Sequence, residues 1–272
     1  MSAVRTPSRI AIAGLGAIGL AIANALDRGI DGLTLTAVSA RDKDGARRRL
    51  AKLGNKVEVV DIADLEPRAD IVIECAPAEL LPQIAEPFLK KGKKVVILSC
   101  GALLKHEALI DLAKQHGGQI IVPTGALIGL DAVTAAAEGE IQSVTMISRK
   151  PVKGLLGAPF LEQHNIRLED IKEATRIYKG TPREAAVGFP ANLNVSVALS
   201  LAGIGPDKTT LEVWADPALT RNTHSIEVVS DSATFSMSIA NIPSENPKTG
   251  RITALSVIAY LRKLGAPLRV GT

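Results

Sequence analysis

The stretch Arg9 to Leu20, RIAIAGLGAIGL, constrains the fold of this chain more than any other. Ile10, Ala11, Ile12 and Ala13 read as a short apolar strand that runs directly into Gly14, Gly16 and Gly19. Ile18, Ala21, Ile22, Ala25 and Leu26 then recur at the three- and four-residue spacing of one helix face. A strand, a tight glycine turn and a helix in that order make a cradle for a pyrophosphate. Gly14 permits the turn, Gly16 lets backbone approach the phosphates, and Gly19 lets the helix pack on the strand. The helix N-terminus adds unpaired N–H groups and the positive end of its dipole.

The same rhythm then repeats along the chain. Leu33 to Val38 (LTLTAV) is a second strand, and Asp42 to Leu53 a charged helix. Further strands are expected at Val57 to Val60, Ala69 to Glu74, Lys94 to Leu98 and Gln119 to Val122, with helices at Glu79 to Lys90 and Lys105 to His116. Continuous apolar strands alternating with helices predict a Rossmann-type, doubly wound parallel sheet covered on both faces. Ligands of such sheets sit beyond the strand C-termini, which puts Ala76, Ser99 and Gly101 along the path of a dinucleotide. NAD-specific sheets carry an acidic residue at the end of the second strand, for the ribose 2′-OH. Here that position is Ser39, followed by Ala40 and Arg41. No carboxylate repels a 2′-phosphate and Arg41 is able to pair with one, so NADP is expected to serve as well as NAD.

The pattern changes at Pro123. PTGALIGLDA is rich in turn formers and offers Asp131 as a helix N-cap. Beyond it, strands are expected at Ile141 to Arg149, Ala174 to Tyr178, Thr209 to Trp214, His224 to Val229 and Ala233 to Ala240. A short helix should follow Thr181-Pro182, and another run from Asn194 to Ala202. Alternation such as SIEVVS and TFSMSI predicts a second α+β domain on a mainly antiparallel sheet with one covered face. The expected division is 1–122 for the dinucleotide-binding domain and 123–246 for a substrate, catalytic and dimerisation domain. A final helix within 247–272 is expected to pack back on the first domain.

Composition narrows the function classes. The 272 residues carry 32 basic and 28 acidic side chains, a net charge of +4, and no basic block is interleaved with aromatics. That argues against nucleic acid. Arg47, Arg48 and Arg49 read as a solvated helix face. Two cysteines, Cys75 and Cys100, without CxxC spacing suggest neither a disulfide framework nor a zinc site, and fit a reducing cytoplasm. No run reaches the roughly 18 apolar residues of a membrane span, and the N-terminus lacks a signal-peptide apolar core. Neither HExxH nor a carboxylate cluster supports a metal, and GxSxG and GxxxxGK[ST] are absent.

Four histidines remain as proton-transfer candidates. His106 and His116 fall on a surface helix and His164 in a polar loop, whereas His224 stands in DPALTRNTHSIEV, a polar loop at the mouth of a strand. A near-neutral histidine there suits oxidation of an amine or alcohol. Asn192 and Asn194 flank Leu193 in FPANLNV, where they serve either as N-caps or as amides facing a ligand. Arg221, Asn222 and Lys150 are candidates for holding a carboxylate.

Several stretches together resemble the L-aspartate dehydrogenase family. They are GLGAIG (14–19), ECA (74–76), SCGAL (99–103), TGALIGLDA (124–132), SRKP (148–151), KGTPREAAVGFPANLNV (179–195), DPALTRNTHSIEV (216–228) and NPKTGRITALSVIAYLR (246–262). Ser148 and Val152 depart mildly from its common threonine and proline. The resemblance implies oxidation of L-aspartate to iminoaspartate with NAD or NADP, in a homodimer built through the second domain's sheet. It further implies that His224 is the active-site histidine and that Ala126 and Asn192 contact the cofactor, beside Gly14, Gly16, Ala17, Ile18, Gly19, Ser39, Arg41 and Ala76. The expected rate rises with pH as His224 loses its proton. The competing readings are a related two-domain reductase of another small amino or keto acid, and a non-catalytic NAD(P)H sensor.

Overall fold

The computed structural model describes residues 6–127, 129–189, 193–243 and 250–271. They form two compact units: Met1–Pro123 with Thr253–Arg269, and Thr124–Ile252 with Val270–Thr272.

The first unit begins with β1 (Ser8–Ala13), α1 (Ala17–Asp27), β2 (Leu33–Ser39), α2 (Lys43–Leu50), β3 (Glu58–Val60) and β4 (Ile71–Glu74). It continues through α3 (Leu81–Leu89), β5 (Lys94–Ile97), α4 (Ala108–His116) and β6 (Gln119–Ile121). The six strands pair in parallel in the order β3-β2-β1-β4-β5-β6. Chain direction across the sheet reverses between β1 and β4, the switch point where such sheets bind ligands. The central strands are aliphatic because both faces are covered: Ile10, Ile12, Val72, Ile73, Val95 and Val96 are fully buried.

Two departures from the sequence reading occur here. The helix expected from Lys105 starts at Ala108, because Cys100–Lys105 winds as a 3-10 segment and His106 breaks from it with φ −133. The arginine run is not uniformly solvated. Arg47 and Arg48 are exposed, but Arg49 is half-buried and donates to the Leu15 carbonyl at 2.8 Å, tying α2 to the glycine turn.

The second unit contains α5 (Leu130–Ala136), β7 (Ile141–Lys150), α6 (Pro159–Gln163), β8 (Thr175–Gly180), α7 (Pro182–Gly188) and α8 (Asn194–Ala202). Strands β9 (Thr210–Ala215), β10 (Thr223–Ser230) and β11 (Thr234–Ala240) complete its sheet, in the order β11-β10-β7-β9-β8. Every neighbouring pair is antiparallel except β7 with β9. Val144, Met146, Leu211, Val213, Ile226 and Val228 line its buried face. Asp131 does not cap α5: Gly129 occupies the N-cap in the left-handed region, and Asp131 lies in the first turn. Helix α6, for which no element was expected, is five residues long and therefore too short to show a period. Thr181 forms the capping box that starts α7, with Thr181 and Glu184 exchanging side-chain-to-backbone bonds. Helix α9 (Arg251–Gly265) follows, and its Val257 and Leu261 are fully buried in the aliphatic core of the first unit, with Ile10, Ile22 and Leu26.

Gly14 has φ +101, and a Cβ there would collide with the Cys75 carbonyl; Gly29 has φ +99 but open space around it. Gly29→Ala should therefore cost only the left-handed penalty, about 1–2 kcal/mol. Gly14→Ala adds a backbone clash and should cost about 3 kcal/mol or more. Denaturant unfolding of the two variants measures the difference, and equal costs would contradict this account of the turn.

Candidate active site

At the switch point the backbone of β1 is tied to both neighbours. Gly14 N–H donates to the Ser39 carbonyl and Cys75 N–H to the Ala13 carbonyl, each at 2.8 Å. Gly19 must be glycine because a Cβ would strike the Gly14 carbonyl. Gly16 is the N-cap of α1 with no side-chain cap, and a Cβ on it would meet nothing within 4 Å. Uncapped first-turn amides above open space fit an anionic pyrophosphate. Ala17 and Ile18 follow on that first turn, Ala17 exposed and Ile18 half-buried. Ser39 is buried at the end of β2 and Arg41 is exposed just past it. The next carboxylate along the chain, Asp42, is occupied as the N-cap of α2, accepting from Gly45 N–H at 2.8 Å. Ala76 is half-buried on the turn after β4.

The second unit gathers polar side chains at one end of the buried face of its sheet. Ser148 on β7 pairs with His224 on β10, and Ser148 Oγ lies 3.1 Å from His224 Nδ1. Lys150, two residues on, belongs to the same face, opposite Ala215 of β9. Asn222, two residues before His224, reaches the same end: Gly154 approaches both the Asn222 amide oxygen and the Lys150 Cβ. Asn241, just after β11, donates its backbone N–H to the Asn222 carbonyl at 2.9 Å. Its side-chain amide donates to the Ala126 carbonyl, also at 2.9 Å, which anchors the turn bearing Ala126.

His224 is therefore not in a loop. It is the second residue of β10 and 4% exposed, as is Lys150. Burial, reinforced by the Lys150 charge, pushes the imidazole pKa down to about 3, and burial pushes the Lys150 amine down to about 8. The histidine titration expected to drive the rate thus falls outside the neutral range in the free protein. In the free protein this imidazole is already neutral throughout the neutral range.

The other histidines stay apart. His116 and His164 are exposed, the latter stacked on Phe160 with ring centroids 3.8 Å apart, and His106 is half-buried ahead of α4 rather than on it. Arg221 is exposed on the turn before β10, out of phase with Asn222, and Asn194 is the exposed first residue of α8. Neither joins the polar row. Asn192 lies outside the described residues. Sequence reasoning missed Asn241 and the partnership of Ser148 with His224, because neither residue type signals which strand it will face. Among the described residues no group of three or more His, Cys, Asp or Glu is placed to hold a metal ion, and no helix is long and apolar enough to cross a membrane.

Fold and site together define a two-domain nucleotide-dependent dehydrogenase. Residues 14–123 match the family model described as homoserine dehydrogenase, NAD binding domain, and 131–264 match aspartate dehydrogenase, C-terminal. The chain is 60% identical to L-aspartate dehydrogenase 3 of Bordetella bronchiseptica, over 97% of each chain. It is also 60% identical to L-aspartate dehydrogenase of Bradyrhizobium diazoefficiens, over 97% of this chain and 94% of that one. In fold it is similar to the aspartate dehydrogenase of Thermotoga maritima, with a TM-score of 0.74 at 24% identity over 97% and 99% of the two chains. The chain belongs to the L-aspartate dehydrogenase family, and its cofactor is NAD or NADP.

The depressed His224 pKa has a thermodynamic signature. Below pH about 6.5 an unfolded histidine takes up a proton that the folded one refuses down to about 3, so acid selectively stabilises the unfolded state. Between pH 6.5 and 4.5 this removes about 2.5 kcal/mol of stability. His224→Gln should lose that component of the acid sensitivity, read by denaturant unfolding at the two pH values. An identical acid loss in wild type and variant would show that the imidazole protonates freely.

Proposed function

We propose that the chain oxidises L-aspartate to iminoaspartate, with NAD or NADP accepting the hydride and His224 accepting or relaying the proton. The observation that carries this reading is the buried Ser148–His224 pair beside Lys150 and Asn222. Lys150, charged below about pH 8, offers a cation for one substrate carboxylate, and the Asn222 amide offers uncharged donors. When bound, the nicotinamide supplies the acceptor for the hydride that leaves Cα. The substrate ammonium must shed a proton as the C=N bond forms. An Nδ1–H donated to Ser148 Oγ leaves the Nε2 lone pair of His224 to receive it.

Taken alone, an imidazole with a pKa near 3 is a poor base. The dicarboxylate corrects this: its negative charges offset Lys150 and raise the basicity of the ring when substrate binds. His224 is thus a base switched on by the substrate it acts upon. Release of iminoaspartate, to hydrolysis as oxaloacetate and ammonia or to NAD biosynthesis, completes the reaction.

In the same reading 1–122 with the last helix holds the dinucleotide, through Gly14, Gly16, Ala17, Ile18, Gly19, Ser39, Arg41 and Ala76, and Ala126 and Asn192 of 123–246 are proposed as further cofactor contacts. Residues 123–246 hold substrate and form a homodimer. The outer face of the second sheet supports the last point, with half-buried Trp214 flanked by Arg149 and Arg176 at 5.1 and 5.9 Å. Cys75 and Cys100 present as thiols fit a cytoplasmic protein.

His224→Ala should lower kcat at least 100-fold, the scale of a general base, while NAD(P) dissociation constants stay within about twofold. Lys150→Met should act mainly on KM for aspartate. Steady-state kinetics with parallel nucleotide titrations separates the two roles, and an undiminished kcat in His224→Ala would remove it from the mechanism.

A further inference from the structure

Strand β4 is aliphatic until its last residue, Glu74, which is 0% exposed. Its carboxylate accepts four hydrogen bonds. Oε1 receives Ala76 N–H at 3.0 Å and the Ser99 hydroxyl at 3.1 Å, and Oε2 receives Leu98 N–H at 3.1 Å and Ser99 N–H at 2.8 Å. Three of those partners are backbone amides that only donate, a set that suits a carboxylate. Burial raises the pKa above the usual carboxylate value, and the four donors limit that rise. The result is a charge held in the low-dielectric end of the first sheet, with no cationic side chain among the described residues bonded to it.

Its place gives the charge a use. Glu74 pairs with Ala13 on one side and Ile97 on the other, so it stands at the C-terminal edge, beside the switch point and under the turns that carry Ala76 and Ser99. In a doubly wound sheet the adenosine half of the dinucleotide lies toward the second strand, where its ribose is read. The nicotinamide half therefore takes the β4–β5 side. An oxidised nicotinamide ring is a cation and a reduced one is neutral.

We propose that Glu74 is a positioning and electrostatic residue that favours the oxidised nicotinamide over the reduced one, besides clamping the Ala76 and Ser99 turns together. This rests on NAD(P) being the cofactor and on its nicotinamide half lying over β4 and β5. A clamp alone would alter the affinity of both redox forms alike. A buried charge alters their ratio, because only one form carries the opposite charge.

The test is direct binding of NAD+ and NADH, and of NADP+ and NADPH, to the whole protein by calorimetry, without substrate. In the wild type the oxidised and reduced forms should bind within about threefold of each other. In Glu74→Gln the ratio of oxidised to reduced dissociation constants should rise about tenfold. The glutamine is sterically compatible: its oxygen keeps the Leu98 and Ser99 amides, its NH2 donates to the Ser99 hydroxyl, and only Ala76 N–H loses its acceptor. Glu74→Asp keeps the charge on a shorter stem, so both affinities fall while the ratio stays near wild type. An equal loss of both forms in Glu74→Gln would leave the clamp and overturn the electrostatic role. Should that variant not fold, the wild type still decides: reduced cofactor bound more than tenfold tighter than oxidised overturns the proposal. Failure to bind either form would overturn the cofactor reading and this one with it.

Discussion

A neutral imidazole and a desolvated ammonium share one end of a β-sheet because the strands that carry them alternate in register. Ser148 and Lys150 fall on the same face of β7, and His224 is paired with Ser148 across the ladder. The rest of that face, through Val144, Met146, Ile226 and Val228, is apolar and buried. A one-residue slip between β7 and β10 would turn His224 to the opposite face and leave Ser148 without it. The apolar part of the sheet thus fixes the register that the polar part needs. Burial then sets the chemistry: the same desolvation that lowers His224 to about 3 lowers Lys150 to about 8.

The first unit solves a different problem with backbone. Its parallel strands have to be aliphatic to be covered on both faces, so ligand recognition is left to turns at their ends. Gly14 and Gly19 let backbone segments approach closely, and Arg49 and Glu74 lock the neighbouring turns by bonding to main-chain groups. Both side chains hold the main chain of the turns at the sheet's C-terminal edge.

Much of the architecture was legible from sequence. The glycine turn, the apolar strands and the N-terminus of α8 came from period and punctuation, signals that are local. The first sheet was readable because each strand is a continuous aliphatic run between turn formers. Helix α6 was not, because five residues carry no period, and neither was the capping of α5 by Gly129, which depends on a left-handed backbone that Asp131 concealed. For the site, His224 and Lys150 were legible as residues but not as neighbours. They are 74 positions apart in the sequence, and their electrostatic coupling arises from strand pairing. Asn241 and Glu74 were missed as bonding residues for the same reason: an asparagine after a strand or a glutamate ending one looks solvated until the opposing backbone is in place.

The central claim is oxidation of L-aspartate, and substrate discrimination tests it most directly. Initial rates of NADH and NADPH formation should be measured by absorbance at mildly alkaline pH with L-aspartate, L-glutamate and L-homoserine. The account predicts reduction with L-aspartate, and kcat/KM at least about 100-fold lower for L-homoserine, which leaves the buried cation without its second carboxylate. No reduction with L-aspartate, or comparable turnover of L-homoserine, would contradict it.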